Sequence, residues 1–294
     1  MILGHERQIE YLEKVLKNGR ISHAYLFHGP ESVGKLSVAK SIAEKLPCPY
    51  PIILDLENTL VSKKDKRKDI PIEDIRELKR MFALAAPEGE WRIAIINEAE
   101  KLSPEAGDAF LKLLEEPGEK TLFLLVTSAP DLLGQTILSR AQPIRFSLVP
   151  DSVLSGYLVQ RGVLSENQKE ILHLAVGRPG AMIRMLEDKT YLDAQKKLLR
   201  SVHDILRNKD FPQAFSLAEK VASDDEERRK VIEYVVRMVR AGLLKAGAAG
   251  TAPRFRALRA IIRMAEVLDT TNVNPCLAMD TIFLEALAAD PVKL

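Results

Sequence analysis

The sequence predicts an α/β domain built on a parallel sheet, followed by a region composed of helices. Helical patterns separate four short apolar runs that are typical of buried strands: residues 24–28, 52–54, 91–96 and 122–126. A glycine-rich loop directly follows the first run, and no strand-like run occurs after Phe146. Strands that alternate with helices indicate βαβ units, whose strands lie parallel.

The segments between these runs carry helix signals. Residues 36–46 and 72–84 place their apolar side chains on one helical face. Ser103 followed by Pro104 predicts a helix start, because serine caps backbone N–H groups and proline fits the first turn. Breaks near residues 177–180 and 246–253 interrupt the later helices. We therefore expect three domains: an α/β domain at residues 1–146, a small helical domain at 147–188 and an all-helical domain at 189–294.

Composition excludes several classes of protein. The 294 residues carry a formal net charge of only +2, so any contact with DNA must come from a local patch or from partners. Two cysteines, Cys48 and Cys276, are too few for a disulfide framework or an all-cysteine metal site. No apolar stretch is long enough, at about 18 residues, to span a membrane, and residues 1–7 lack the apolar core of a signal peptide. We expect a cytoplasmic protein without a membrane contact.

Residues 29–36 have the spacing of a phosphate-binding P-loop, G-x-x-x-x-G-K, between a predicted strand and a predicted helix. Gly29 and Gly34 would let the backbone curl around phosphates, and Lys35 would neutralise them. The next position normally carries a hydroxyl that binds Mg²⁺, and here it is Leu36. Ser37 comes one residue late, about 100° further round a helix. The pattern indicates a P-loop fold without its metal ligand; the alternative is a glycine turn that binds nothing.

A second acidic motif follows the strand predicted at residues 91–96. In a Walker B motif, such a strand ends in Asp-Glu: the aspartate helps to hold Mg²⁺ and the glutamate orients the attacking water. Asn97 replaces the aspartate and offers a neutral oxygen, whereas Glu98 is retained. The alternative is a buried strand that runs into a polar helix cap. Since Leu36 and Asn97 both weaken the binding of the same Mg²⁺ ion, we expect that the chain by itself does not hydrolyse ATP.

Four motifs, in order along the chain, resemble those of the AAA+ clamp-loader subunits of bacterial DNA polymerase III. They are HAYLFHGP followed by VGK at residues 23–35, LKLLEEP at 111–117, ILSRA at 137–141 and NPCLAMD at 274–280. The resemblance spans nearly the whole chain. It implies an AAA+ P-loop domain, a helical lid and a helical C-terminal collar. Within the family, an impaired nucleotide site is typical of the non-motor delta-prime subunits, so the chain resembles that type.

The resemblance also implies a role for Arg140, which follows Ser139. In this family, the arginine of a Ser-Arg-Cys motif reaches into the ATP site of a neighbouring motor subunit as an arginine finger. The resemblance further implies partners: motor subunits of the gamma/tau type and a delta subunit through the collar, and the sliding clamp and primed DNA through the complex. The chain would then help to load the clamp during DNA replication without being a motor.

Three positions depart from the family's pattern. Ala141 replaces the cysteine beside the arginine, which leaves the guanidinium intact. The usual sensor arginine falls on Gly180, with Arg178 two residues early, so we do not expect the chain to sense a γ-phosphate in its own site. Cys48 stands alone where the family usually has a four-cysteine zinc module, so we expect no zinc.

Other functions and contacts are compatible with the sequence. The chain could be an active motor-type ATPase in which Ser37 holds Mg²⁺, or an unrelated P-loop switch with a helical interaction region. Residues 63–68 could contact DNA phosphates or form a solvated loop. A basic stripe has two possible interpretations, a solvated face or a subunit contact. Its members are Arg254, Arg256, Arg259 and Arg263.

Overall fold

The computed structural model describes residues 2–61, 68–83, 89–245, 248–271 and 273–289. The chain forms two compact units, Met1–Met185 and Leu186–Leu294. The first unit contains the sheet, and the second consists of helices joined by short connections. The basic segment noted at residues 63–68 lies, apart from Lys68, outside the described residues.

Strands and helices alternate in the first unit. The strands are β1 (Ala24–His28), β2 (Ile52–Leu54), β3 (Arg92–Ile96), β4 (Thr121–Thr127) and β5 (Gln142–Arg145). The helices are α1 (Glu6–Lys17), α2 (Lys35–Glu44), α3 (Ile72–Ala83), α4 (Pro104–Glu115), α5 (Gln135–Leu138), α6 (Asp151–Gln160), α7 (Ser165–Ala175) and α8 (Pro179–Glu187). The five strands form one parallel sheet in the order β2-β3-β4-β1-β5. The predicted parallel α/β fold is therefore confirmed.

Two apolar layers cover the two faces of the sheet. Successive side chains of β1 point to opposite faces: Ala24 and Leu26 belong to the layer that includes α3 and α4, whereas Tyr25 and Phe27 belong to the layer that includes α1 and α2. All four side chains are buried. A parallel sheet covered on both faces has nearly continuous apolar strands, and for this reason the sequence predicted these strands.

Three elements of the first unit were not predicted: α1, α5 and β5. Strand β5 lies at the edge of the sheet and contains Pro143. Proline has no backbone N–H, and an edge strand tolerates it because one side of the strand forms no ladder hydrogen bonds. Of the four side chains of β5, only Ile144 is buried. An edge strand with a single buried side chain has no apolar run that a sequence pattern can detect.

Helix α4 begins as predicted. The Ser103 hydroxyl accepts a hydrogen bond of 3.1 Å from the backbone N–H of Ala106, and Pro104 is in the first turn. The cap fixes the start of the helix, and α4 then runs to Glu115, beside the residue expected to act as a finger.

The second unit contains the helices α9 (Lys189–Asn208), α10 (Phe211–Val221), α11 (Asp225–Lys245), α12 (Ala248–Thr270) and α13 (Pro275–Ala288). Aspartate or asparagine side chains cap three of them, at Asp188, Asp210 and Asn274. The break predicted at residues 246–253 is wrong in its second part, because residues 248–253 are helical and Pro253 lies inside α12. A proline in the second turn removes one helical hydrogen bond, and packing against α11 and α13 offsets that cost. The division into three domains remains a prediction; α6, α7 and most of α8 lie within the first unit.

Candidate functional site

The carboxyl ends of β1, β3 and β4 meet at one edge of the sheet, because these strands are parallel neighbours. A cavity of about 350 Å³ opens there. The sequence-predicted residues that line it are Gly34, Lys35, Leu36, Asn97 and Glu98. The fold therefore brings the P-loop and the second acidic motif together, as their shared role at one magnesium ion implied. Ser139 and Arg140 are apart from this cavity: they precede β5 and so lie at the amino-terminal edge of the parallel sheet.

Lys35 is turned toward its own loop. Its ammonium group donates hydrogen bonds to the carbonyl oxygens of Gly29 at 2.7 Å and Pro30 at 2.6 Å, and the residue is only 6% exposed. Burial lowers the pKa of Lys35 to about 8, the carboxylates of Glu100 and Glu31 oppose this, and Arg178 lowers the pKa further. Lys35 would have to give up both hydrogen bonds to reach a phosphate in the cavity.

Two more carbonyl groups of the P-loop are held from outside the loop. Ser32, whose φ is 57°, accepts a hydrogen bond of 2.8 Å from the backbone N–H of Gly180 in the first turn of α8. The Val33 carbonyl lies 2.9 Å from Nε2 of His5. The first turn of a helix leaves its N–H groups unpaired, and here one of them binds the P-loop backbone. These contacts fix the loop against α8 and the segment before α1.

The position expected for a sensor arginine is thus occupied by a backbone contact. A Cβ atom added to Gly180 would lie 3.0 Å from the Ser32 oxygen, a tight approach that leaves little room for a side chain. Arg178 lies two residues earlier and is close enough to Lys35 to lower its pKa. The cationic group near the P-loop is therefore Arg178, displaced from the expected position.

Acidic side chains surround the cavity. Glu98 follows Asn97 with a φ of 54°, and desolvation of its carboxyl raises its pKa, as do the nearby carboxylates, Glu100 first among them. Glu100 accepts hydrogen bonds from the backbone N–H of Ser128 at 3.2 Å and from its hydroxyl at 2.9 Å. Glu31 also lines the cavity. This concentration of negative charge opposes the binding of a triphosphate.

The residues at the two magnesium positions do not fit the ion. Leu36 offers no oxygen, and Asn97 offers a neutral one, whereas Mg²⁺ is normally bound by a hydroxyl and a carboxylate at these positions. Ser37 is exposed and lines the same cavity, although the helical rotation had placed it away from the metal position. Within the described part of the chain, no group of three or more His, Cys, Asp and Glu residues could hold a metal ion. The expected lack of zinc remains a prediction.

Arg140 lies two residues after the end of the short helix α5 and is held by its own chain. Its Nη1 atom donates to the Thr136 carbonyl at 3.0 Å and to the Ser139 hydroxyl at 3.3 Å. Its Nη2 atom donates to Oε1 of Glu115, the last residue of α4, at 2.8 Å. The side chains of Arg140 and Glu115 are 36% and 50% exposed, so the guanidinium is accessible from outside.

Sequence reasoning missed several of these residues. Glu31 lies in the P-loop but had no predicted role, and the strand order brings Glu100 and Ser128 to the same cavity. The contact of Gly180 with Ser32 joins positions that are far apart in the chain. Glu115 could have been noticed, because it stands in one of the four motifs, at residues 111–117, and Arg140 stands in another, at residues 137–141.

None of the described helices is long and apolar enough to cross a membrane.

A parallel sheet with a G-x-x-x-x-G-K loop after β1 and an acidic motif after β3 defines an α/β P-loop protein of the AAA+ class. Comparison with known families narrows this class. The family model described as "DNA polymerase III, delta subunit" matches residues 4–150, half of the chain, and the chain belongs to this clamp-loader family of DNA polymerase III.

Curated relatives carry the names of tau and gamma subunits of DNA polymerase III. The chain is 32% identical over 170 residues to DNA polymerase III subunit tau/gamma of Haemophilus influenzae, which covers 53% of this chain and 25% of that protein. It is 30% identical over 168 residues to DNA polymerase III subunit tau of Bacillus subtilis, covering 53% of this chain and 30% of that protein. The matches thus span about a third or less of these relatives.

Solved structures of low identity also align with the chain. A DNA polymerase III, gamma subunit-related protein from Thermotoga maritima aligns at a TM-score of 0.43 and 20% identity, over 96% of this chain and 99% of that one. The RuvB Holliday junction branch migration motor from the same organism aligns at a TM-score of 0.48 and 18% identity, over 94% and 87% of the two chains. The family assignment rests on the family match alone.

Proposed function

We propose that the chain is a non-motor, delta-prime-type subunit of a DNA polymerase III clamp loader in the cytoplasm. It binds motor subunits of the gamma/tau type and a delta subunit through its C-terminal helices, and it acts on the sliding clamp and primed DNA through the assembled complex. Its own nucleotide site does not turn over ATP. Its contribution to hydrolysis is Arg140, which enters the ATP site of the adjacent motor subunit.

One observation carries the non-motor part of this proposal. Leu36 and Asn97 occupy the two magnesium positions and line the same cavity, so the two losses act on one ion. The retention of Lys35 without these ligands supports a P-loop that is kept for its fold. The contact of Gly180 with Ser32 supports the same view, because it fills the place from which a sensor side chain would act.

Restoring both ligands tests this explanation. The native chain should bind ATP no more tightly with Mg²⁺ than with EDTA. The double variant Leu36→Thr, Asn97→Asp should bind ATP at least about tenfold more tightly when Mg²⁺ is present, because a hydroxyl and a carboxylate again complete the metal site. Isothermal titration with ATP, with and without Mg²⁺, measures both constants.

The matched control is the single variant Leu36→Val, which changes the same side chain without adding an oxygen and should leave binding as in the native chain. The proposal fails if the native chain shows Mg²⁺-dependent ATP binding and turnover that Lys35→Ala abolishes.

The finger role of Arg140 is supported by its chemistry and its exposure. A guanidinium near a γ-phosphate stabilises the charge that spreads over the phosphoryl oxygens in the transition state. Arg140 lies at the edge of the sheet away from its own P-loop, and the side chain is 36% exposed. A group that serves a neighbour's site should be accessible and remote from its own, and Arg140 meets both conditions.

Substitution of Arg140 should change the complex and not the isolated chain. Arg140→Ala should assemble normally, because an exposed side chain contributes little to folding. In a complex whose motor subunits carry alanine at their own finger arginines, the ATPase stimulated by clamp and primed DNA should fall at least about 100-fold. Arg140→Lys should restore little, since lysine lacks the planar guanidinium.

Arg145→Ala serves as the control, because Arg145 is an exposed arginine on β5 five positions further along the chain. Wild-type clamp loading and turnover with Arg140→Ala would show that the subunit is a passive scaffold.

A second candidate is an active motor-type ATPase. The names of the curated relatives, tau and gamma, favour it, and Ser37 lines the cavity next to Leu36. It requires Ser37 to bind Mg²⁺ in place of the missing hydroxyl. Ser37→Ala should then abolish Mg²⁺-dependent ATP binding by the native chain, whereas the non-motor proposal expects no effect.

A further inference from the structure

Arg140 is held at the junction of two helix ends. Helix α4 ends at Glu115 and helix α5 at Leu138, and both ends precede a strand of the parallel sheet, so both lie at its amino-terminal edge. The Nη1 atom of Arg140 donates to the carbonyl of Thr136, one of the groups that the end of α5 leaves without a helical partner. A basic side chain at a helix end is favourable in this position.

Glu115 stands in an electrostatically unfavourable place. The last turn of a helix carries a partial negative charge, and a carboxylate there is destabilising. Glu116 follows directly, so two carboxylates share the end of α4. The last turn of α4 also contains Lys112, and the positive charge in direct contact with Glu115 is the guanidinium of Arg140, at 2.8 Å. The stability of α4 does not account for a glutamate at this position, whereas the orientation of Arg140 does.

The contacts leave a defined part of the guanidinium available. Arginine has five N–H groups. Nη1 donates to Thr136 and Ser139, and Nη2 donates to Glu115. Among the described residues, none accepts a hydrogen bond from Nε, and Glu115 is the acceptor at Nη2, so both nitrogen atoms can face an anion from outside the chain. The side chain of a free arginine loses considerable rotamer entropy when it is fixed, and these contacts fix it before an anion arrives.

We propose that Glu115 is a positioning residue for Arg140: it holds the guanidinium in the orientation that meets the phosphate of the adjacent subunit. This inference rests on the proposed finger role of Arg140. Glu115 does not touch the nucleotide. Its ion pair is exposed and contributes little to the stability of the fold, so its removal changes the orientation of Arg140 without unfolding the chain.

The test uses the assembled clamp loader whose motor subunits lack their own finger arginines, so that stimulated turnover depends on Arg140. Glu115→Ala should lower kcat about threefold to tenfold and leave the KM for ATP unchanged, because orientation and not nucleotide binding is affected. Glu115→Gln should restore at least half of the lost rate, since the amide oxygen still accepts a hydrogen bond from Nη2. Glu116→Ala is the matched control and should have no effect, because Glu116 is the adjacent exposed glutamate at the same helix end.

A double-mutant comparison separates positioning from other roles. In the Arg140→Ala background, Glu115→Ala should have no further effect. In the isolated chain, NMR relaxation of the Arg140 Nε–H resonance should show a more mobile guanidinium in Glu115→Ala. The same measurement should show no change in Glu116→Ala.

The outcomes distinguish this inference from the function on which it rests. If Arg140→Ala itself leaves turnover unchanged, the finger role is wrong, and the positioning role is wrong with it. If Arg140→Ala abolishes turnover but Glu115→Ala behaves like Glu116→Ala, only the positioning role is wrong. A higher kcat with Glu115→Ala would also overturn it, since it would mean that Glu115 restrains the finger by competing with phosphate.

Discussion

Gly29 and Gly34 are the two glycines of the P-loop motif, and the structure gives them different constraints. Both have a positive φ, 141° and 106°. A Cβ atom at Gly29 would lie 2.1 Å from the carbonyl oxygen of Phe146, directly after β5, whereas a Cβ atom at Gly34 would have no atom within 4 Å. The first glycine is therefore required by close packing of two backbone segments, and the second by its backbone conformation alone.

Alanine substitution should separate these two constraints. We expect Gly29→Ala to lower the free energy of unfolding by more than about 3 kcal/mol, because the β1–β5 region must move to relieve a clash with backbone. Gly34→Ala should cost about 1–2 kcal/mol, the strain of a left-handed backbone. Urea denaturation followed by circular dichroism measures both values, and equal losses for the two variants would contradict this explanation.

At the scale of single elements, the sequence predicted what was locally encoded. The strands β1, β3 and β4 were recognised because both of their faces are buried. The start of α4 was recognised because Ser103 and Pro104 form a local cap. Strand β5 was not predicted, because its pairing with β1 depends on the tertiary fold and three of its four side chains are exposed.

The same distinction applies to the site. Lys35, Leu36 and Asn97 were predicted because each stands at a fixed offset in a motif. The contact of Gly180 with Ser32 and the pair of Arg140 with Glu115 are tertiary, joining residues that no local pattern relates. The orientation of a side chain, such as that of Lys35 toward its own loop, depends on its three-dimensional surroundings. It could therefore not be predicted from the sequence either.

At the scale of the whole molecule, the two compact units should be separable. Both apolar layers of the sheet are made of residues between Leu12 and Phe146, and α8 ends at Glu187. Asp188 caps α9 and belongs with it, since its side chain accepts a hydrogen bond from the N–H of Tyr191. A division between residues 187 and 188 therefore cuts no described helix and removes no cap.

We expect a fragment of residues 1–187 to unfold cooperatively on heating, with the circular dichroism of an α/β protein. A fragment of residues 1–146 is the control. It loses the hydrogen bond between Gly180 and Ser32 and should melt at a lower temperature. Equal melting temperatures would show that helices α6–α8 contribute nothing to the sheet, and a non-cooperative transition of the longer fragment would contradict the division into two units.

The hydrogen bond between Gly180 and Ser32 has a consequence for how this chain can change over evolutionary time. An arginine introduced at position 180 would crowd the Ser32 carbonyl. Without a bound nucleotide, no phosphate would offset this cost by pairing with the guanidinium. Restored metal ligands at positions 36 and 97 would in turn hold a nucleotide that no residue at position 180 senses. Each of these changes made alone leaves the site without its other parts. Under the proposed non-motor role, a loss of hydrolysis would be hard to reverse, because one substitution can remove a part of the site and several simultaneous ones are needed to restore it.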